Sequence, residues 1–249
     1  MKLIKSQEIE NFTLEKVQDL YNNYVSSSQI KLLSSFEFGN DLAETSKGIY
    51  IFTKKGKKIY DFTGGFGVLN HGHNHDRILK ARINFQNQNK VEVHKNFLCP
   101  YLAALSFNIS QILPGDLNVS YLPNSGAEAN EGAIKLAYKY HNGKRKYILH
   151  SNISFHGKLL ATGSISSSPE VKFKFPGLTN TDQFIWNDIN DLKNKIEQYK
   201  AKDGSSDIYA IIIEPFSASS LLECSEDFLR ELRKLCSNNK IILIFDEIY

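Results

Sequence analysis

Short apolar runs alternate with helical patterns through the second half of the chain. The runs at residues 147–149, 208–213 and 241–245 have no polar residues in alternation, which is typical of strands buried on both faces of a parallel sheet. Between these runs, residues 192–199 and 228–236 have apolar residues at helical spacing. The pattern therefore predicts an α/β fold in which helices cover both faces of a mainly parallel sheet.

A strand-turn-helix unit precedes this region. An apolar run at residues 119–122 predicts a strand, and a Pro-Asn-Ser-Gly turn leads from it into an Ala-rich helix. Ser125, Gly126 and Ala127 are small residues at the start of that helix, so its first backbone N–H groups are open to a ligand. Helix N-termini of this kind bind anions, and the unit is a candidate phosphate cradle. An ordinary capped helix is the alternative.

The remaining pattern predicts further elements. Thr13 precedes residues at helical spacing and predicts an amphipathic helix. Alternation on both sides of Gly56 predicts a β-hairpin. Residues 74–88 and 100–113 are predicted to be helical. Residues 164–186 are predicted to be irregular, and we expect them to shape the substrate pocket.

Composition and charge exclude several classes of protein. The chain has 249 residues, of which 41% are apolar, enough for a buried core. A net charge of +3 without a basic block argues against nucleic-acid binding. Three cysteines without metal or redox spacing favour reduced thiols and a cytoplasmic location. The sequence has neither an apolar leader nor a run long enough to span a bilayer, so we expect no membrane association.

A glycine- and histidine-rich segment at residues 61–75 has more than one interpretation. Its glycines lack the spacing of a dinucleotide-binding loop. His71, His73 and His75 alternate along the chain and could present imidazoles as metal ligands. With Asp246 or Glu247 they could form the site of a metal-dependent hydrolase. The other interpretation is a glycine loop that leads into a helix.

Asp246 directly follows the last apolar run. It is therefore predicted to stand at the carboxyl end of a buried parallel strand, where open α/β sheets bind their ligands. A helix cap or a salt bridge would also explain a carboxylate at this position. If a pyridine ring lies alongside, Asp246 can pair with the ring nitrogen and keep it protonated.

Several spaced motifs resemble one enzyme family. From about residue 36 to residue 249, the chain is similar to the class-III pyridoxal-phosphate-dependent aminotransferases, the ornithine and acetylornithine aminotransferase family. The motifs occur in the family's order. They are YDFTGGFGVLNHGHNHDRILKA at 60–81, PNSGAEANEGAIKLA at 123–137, SFHGK at 154–158, IIIEPF at 211–216 and LIFDEIY at 243–249.

The resemblance implies roles for individual residues around pyridoxal 5'-phosphate. Phe155 would cover the cofactor ring, with His156 beside it, and Asp246 would fix the pyridinium. Tyr249 stands where relatives often have glutamine, near the cofactor's phenolic oxygen, and its hydroxyl could make that hydrogen bond. The phosphate would lie on the segment that contains Ser125, Gly126 and Ala127.

The resemblance also implies a substrate-binding side of the site, where the sequence departs from the family. Lys158 stands where acetylornithine-type members have an arginine for the substrate carboxylate, and lysine lacks the two-pronged guanidinium. Glu214 matches the family's Glu-Pro pair, but FSASS follows it in place of a glutamine- and glycine-rich stretch. The family's Schiff-base lysine is expected beyond residue 249, so no catalytic residue is assigned within the chain.

These observations together predict the N-terminal portion of a homodimeric aminotransferase. It would move an amino group between a donor amine and a keto acid or aldehyde. An aminomutase or a decarboxylase on the same fold is the related alternative. The expected fold is the three-layer α/β/α large domain of the fold type I enzymes at residues 71–249, preceded by part of a small α+β domain at residues 1–70.

Overall fold

The computed structural model describes residues 3–91, 96–167 and 177–249. The chain divides into two compact units, one ending at Phe97 and one beginning at Leu98. Each unit is described by itself. Residues 71–91, 96 and 97 fall in the first of these units, while the division of the complete enzyme at residue 70 stays a prediction.

The first unit combines short helices with a small antiparallel sheet. Thr13 Oγ1 accepts the N–H of Lys16 at 3.2 Å, which confirms the predicted helix start. The hairpin around Gly56 is also confirmed, and Gly56 has a φ of 79°. The elements are α1 (Ser6–Ile9), α2 (Leu14–Tyr24), α3 (Ser27–Ser35), a 3-10 helix (Phe38–Asn40), β1 (Ala43–Lys47), β2 (Tyr50–Thr53), β3 (Lys58–Tyr60) and α4 (Asp76–Gln86).

The second unit is built on a parallel sheet. The elements are α5 (Pro100–Ser110), α6 (Gly126–Tyr140), β4 (Tyr147–Ser151), α7 (Leu160–Ser164), β5 (Thr181–Phe184), α8 (Ile189–Gln198), β6 (Ile208–Ile213), β7 (Phe216–Ser217), β8 (Leu222–Glu223), α9 (Glu226–Asn238) and β9 (Ile242–Phe245). The four-stranded sheet has the order β5-β4-β6-β9, and each neighbouring pair is parallel. Strands β7 and β8 form a separate antiparallel pair.

Helices cover both faces of this sheet. On one face, Leu149, Ile211 and Ile213 belong to a buried cluster with residues of α8 and α9, such as Leu192 and Leu232. On the other face, the alternate strand residues, among them Ile148 and Ile212, pack with residues of α6 and α7. Burying each such side chain contributes roughly 1.5–3 kcal/mol. The two clusters confirm the three-layer α/β/α arrangement.

Two predictions about local structure are wrong. Residues 119–122 form no strand, and Val119 is 92% exposed, because no described part of the second unit pairs with this apolar run. Conversely, the segment predicted to be irregular contains β5. Strand β5 lies at the sheet edge, where Thr181, Asp182 and Gln183 are only half-buried, so it lacks the apolar pattern of the central strands. Residues 168–176 of that segment lie outside the described residues.

Candidate active site

The candidate site is formed where strands β4, β6 and β9 of the second unit end. The chain passes from β4 to its neighbour β5 and then crosses to β6 on the other side of β4, so the connections diverge beyond the ends of β4 and β6. Such a switch point forms the ligand crevice of open α/β sheets. Glu214 follows β6 here, Asp246 follows β9, and the loop that contains Phe155 and His156 follows β4.

Asp246 is buried and held by two hydrogen-bond donors. Its side chain is 3% exposed, and its Oδ2 lies 2.7 Å from both His156 Nδ1 and Asn130 Nδ2. A carboxylate only accepts hydrogen bonds, so the His156 proton is assigned to Nδ1. His156 Nε2 is also buried, and it has no hydrogen-bond partner among the residues that the structure describes.

Asn130 is a part of the site that the sequence analysis missed. It lies on α6 and is only 5% exposed. Besides contacting Asp246, its Nδ2 donates to the backbone carbonyl of His156 at 3.1 Å. The available signal was its position, because Asn130 shares the buried face of α6 with Ile134 and Ala137. A polar residue on such an apolar face needs a buried partner.

Glu214 is also buried, and the structure gives it backbone partners. Its Oε2 accepts the N–H of Phe155 at 2.8 Å, and its Oε1 accepts the N–H of Ala218 at 3.4 Å. Burial raises the pKa of Glu214, and the charge of Asp246 adds to the increase, while the hydrogen bond from Phe155 and the proximity of His156 oppose it. Glu214 thus fastens the loop after β4 to the end of β6.

The N-terminus of α6 lies against the other predicted segments. Ser125 Oγ accepts the N–H of Glu128 at 3.2 Å, as expected of a helix cap. A Cβ on Gly126 would come within 2.6 Å of the Ile248 side chain. Gly157 has a φ of 123°, and a Cβ there would come within 2.6 Å of Ala127 Cβ. The two glycines therefore permit close packing of α6 against the loop after β4 and the segment after β9.

The other predicted site residues are more accessible. Phe155 is half-buried, whereas Ser125, Lys158 and Glu247 are exposed. Tyr249 is 55% exposed. Their side chains are therefore more exposed to solvent than those of His156, Glu214 and Asp246, which are buried.

The histidine-rich segment has a different structure from a metal site. His73 Nε2 lies 2.8 Å from Asp61 Oδ2, and the rings of His71 and His75 meet edge to face with centroids 6.1 Å apart. In the described parts of the chain, no group of three or more His, Cys, Asp or Glu residues is arranged to hold a metal ion. The described residues therefore offer the hydrolase alternative no such cluster.

Asp61 accepts several further hydrogen bonds. Its Oδ1 accepts the Thr63 hydroxyl at 2.7 Å and the N–H groups of Thr63 and Gly64 at 3.0 and 2.9 Å. The hydrogen bond from the Thr63 side chain, followed by that from His73, lowers the pKa of Asp61 to about 2. Asp61 thus fixes the start of the glycine loop, in agreement with the alternative interpretation of this segment.

The fold and the site define a class of protein. A three-layer α/β/α unit presents a buried carboxylate and a helix N-terminus at the switch point of its sheet, an arrangement suited to a ligand that carries a cationic and an anionic group. The sequence profile described as Aminotransferase class-III matches residues 39–249. The chain belongs to this family.

Individual relatives agree with this assignment. The acetylornithine aminotransferase of Prochlorococcus marinus subsp. pastoris is 32% identical over 228 residues, which cover 86% of this chain and 50% of the relative. An (S)-enantioselective omega-transaminase from Thermomicrobium roseum superposes with a TM-score of 0.78 at 21% identity, over 98% of this chain and 57% of that structure. An amine transaminase from an uncultivated Pseudomonas species, solved in its PLP-bound form, gives a TM-score of 0.72 at 22% identity, over 83% of this chain and 52% of that structure.

The structural likenesses confirm the fold type I architecture. The chain spans about half the length of the curated relatives that it matches. In the described residues, none of the helices has the length and apolar character needed to cross a membrane.

Proposed function

We propose that this chain is the N-terminal portion of a pyridoxal-phosphate-dependent aminotransferase. The whole protein would move an amino group from a donor amine to a keto acid or aldehyde. The observation that carries the proposal is the buried Asp246 carboxylate at the strand end, whose Oδ2 is bound by His156 and Asn130. Its Oδ1 accepts, among the described residues, one long hydrogen bond from the Ile248 N–H at 3.3 Å.

The residues present fit pyridoxal 5'-phosphate. The bound cofactor would supply an electron sink for the substrate's bonding electrons. Asp246 would accept a hydrogen bond from the ring nitrogen and keep it protonated, because an adjacent carboxylate favours the cationic form. The half-buried Phe155 would cover the flat ring. The buried His156 Nε2, which has no partner among the described residues, marks a further position at which a hydrogen-bond partner is needed.

The other end of the cofactor would be held by α6 and the last residues of the chain. Gly126 and Ala127 supply the first N–H groups of α6, which have no intrahelical acceptor. Together with Ser125 they would bind the phosphate, whose charge is favoured at the positive end of the helix dipole. The exposed Tyr249 would donate its hydroxyl to the phenolic oxygen.

The substrate would lie on the Lys158 side of the loop after β4. The exposed lysine would attract a carboxylate on the substrate as a point charge, without the fixed fork of arginine. Glu214 has less freedom to bind substrate because both of its oxygens already accept backbone N–H groups. We therefore propose that Glu214 acts on the substrate pocket chiefly by holding Phe155 in place.

The assembly proposed for the whole protein is a cytoplasmic homodimer. Helix α5 and the residues after it have an apolar surface that the rest of the second unit leaves uncovered, with Phe107 at 63%, Ile112 at 82% and Leu117 at 61% exposure. A second copy would shield this surface from water. Sedimentation of the whole protein tests the proposal, and a monomer at micromolar concentration would contradict it.

The activity is tested by incubating the whole protein and pyridoxal phosphate with single amines and a keto acid. Acetylornithine and putrescine are suitable first donors because aminotransferases for them are among the relatives. We expect stoichiometric appearance of the carbonyl product and the new amino acid. Formation of an isomeric amine would indicate an aminomutase, and release of carbon dioxide would indicate a decarboxylase.

A matched pair of variants links that activity to the site. Asp246→Asn should lower kcat by about 10²–10³, the loss typical of removing a preorganised electrostatic contact. Asp116→Asn changes an exposed carboxylate of the same unit and should leave kcat unchanged. Equal activity in the two variants would contradict the role of Asp246.

A further inference from the structure

We infer that Asn130 is a positioning residue for Asp246, one that fixes the direction in which the second oxygen of the carboxylate faces. This inference rests on the proposed function. Asn130 Nδ2 lies 2.7 Å from Asp246 Oδ2 and 3.1 Å from the carbonyl oxygen of His156. The amide has two N–H bonds, one for each acceptor, so a single side chain on α6 bridges the end of β9 and the loop after β4.

The geometry leaves the two oxygens of Asp246 unequal. Oδ2 accepts from both Asn130 and His156, whereas Oδ1 accepts only the long bond from the Ile248 N–H among the described residues. Turning the carboxylate away from this orientation would break the two short hydrogen bonds to Oδ2. Asn130 and His156 therefore direct Oδ1 toward an additional donor, which in the proposed enzyme is the ring nitrogen.

Asn130 contributes something that His156 alone does not. A single donor to Oδ2 permits the carboxylate to pivot about that hydrogen bond, while a second donor fixed on α6 removes this freedom. Because Asn130 also donates to the carbonyl of His156, the same amide holds the His156 imidazole and the Asp246 carboxylate in fixed positions relative to each other. A structural role alone would stabilise the fold without altering the charge or direction of Asp246, and this difference can be measured.

The first test uses Asn130→Asp in the whole protein with the cofactor removed. The substitution places a second carboxylate against Asp246, and two carboxylates at this distance do not both ionise readily. The folded state then binds an extra proton, so the urea midpoint of the variant should fall relative to native protein as pH rises from about 4 to about 8. Asn194→Asp, on the exposed side of α8, is the control and should show no such trend. A pH-independent difference for Asn130→Asp would overturn the inference.

The second test keeps the inference falsifiable if Asn130→Asp does not fold. Asn130→Ser is smaller and cannot donate to both acceptors. It should weaken binding of pyridoxal phosphate about tenfold, the equivalent of one hydrogen bond of roughly 1.4 kcal/mol. Binding of an analogue with CH in place of the ring nitrogen should be unchanged. Equal weakening for both ligands would show that Asn130 only supports the fold.

The outcomes separate this inference from the proposed function. If native protein binds neither ligand, the proposed function fails, while the pH trend of Asn130→Asp still tests the contact with Asp246. If native protein binds pyridoxal phosphate and Asn130→Ser binds it equally well, the proposed function stands and the positioning role is rejected.

Discussion

Glu214 Oε2 accepts the backbone N–H of Phe155 at 2.8 Å, although 59 positions separate the two residues in the chain. The contact joins the end of β6 to the loop after β4 at the switch point of the sheet. It holds the backbone of the aromatic residue that, in our proposal, covers the cofactor ring. The position of Phe155 thus depends on a hydrogen bond from its backbone to a buried carboxylate. The Phe155 side chain takes no part in that hydrogen bond.

Removing the Glu214 side chain should destabilise the second unit. Glu214→Ala leaves the Phe155 N–H without its acceptor, which costs about 1–3 kcal/mol. Glu214→Gln retains an amide oxygen that can accept that N–H, so this variant should lose less stability. Urea unfolding measures the loss, with Glu223→Ala, an exposed glutamate of β8, as the control. Indistinguishable midpoints for Glu214→Ala and Glu223→Ala would show that the contact is unimportant.

The raised pKa of Glu214 predicts a direction of pH dependence. Burial raises the folded-state pKa, so the folded state favours the protonated form. This contribution to stability is fully present below the ordinary glutamate pKa of about 4.3 and is lost as pH rises through the folded value. The stability of native protein relative to Glu214→Gln should therefore decline with rising pH. A relative stability that increases with pH would contradict burial as the dominant cause.

Gly157 should tolerate alanine poorly because two constraints act on it. Its φ is 123°, and a Cβ would come within 2.6 Å of Ala127 Cβ. Gly204 has a φ of 81° and nothing within 4 Å of its Cβ position, so Gly204→Ala measures a positive-φ cost without steric contact. Overpacking destabilises a protein by roughly 1–3 kcal/mol. The free energy of unfolding in urea should therefore fall by that much more in Gly157→Ala than in Gly204→Ala. Equal losses would mean that the loop after β4 does not pack on α6 as described.

The lowered pKa of Asp61 predicts that the folded protein loses stability in acid. The pKa of Asp61 is lowered to about 2. Its contribution to the stability of the folded state is therefore present above the unfolded-state pKa of about 4 and is lost as pH falls through about 2. Thr63→Val removes the largest cause of that lowered pKa and should shift the loss to higher pH. Urea midpoints between about pH 7 and about pH 2 measure the effect. An unshifted acid transition in Thr63→Val would contradict the hydrogen-bond assignment.

The buried centre of the second unit was predictable from the sequence. The runs that become β4 and β6 are apolar on both faces, and this pattern has few interpretations other than central parallel strands. The similar run that becomes β9 pairs parallel with β6 at the edge of the described sheet. Edge strand β5 was missed because Asp182 and Gln183 are only half-buried. The run at residues 119–122 has the composition of a strand, but strand formation also depends on a hydrogen-bonded neighbour, and local sequence carries no information about that neighbour.

The candidate site was predictable only in part, for a similar reason. Asp246 and the start of α6 are marked by local patterns, namely a carboxylate after an apolar run and small residues at a helix start. The roles of Asn130 and Glu214 depend on contacts with residues 116 and 59 positions away. Such contacts follow from the topology of the sheet rather than from spacing in the sequence.

The most direct test of the central claim is the dissociation constant of pyridoxal phosphate for the whole protein and for its Asp246→Asn and Asp116→Asn variants, measured by absorption titration. Loss of a charged hydrogen bond costs about 1.5–3 kcal/mol. We therefore expect Asp246→Asn to bind roughly 10- to 100-fold more weakly than native protein, and Asp116→Asn to bind equally well. Native affinity in Asp246→Asn, or no saturable binding by native protein, would contradict the account.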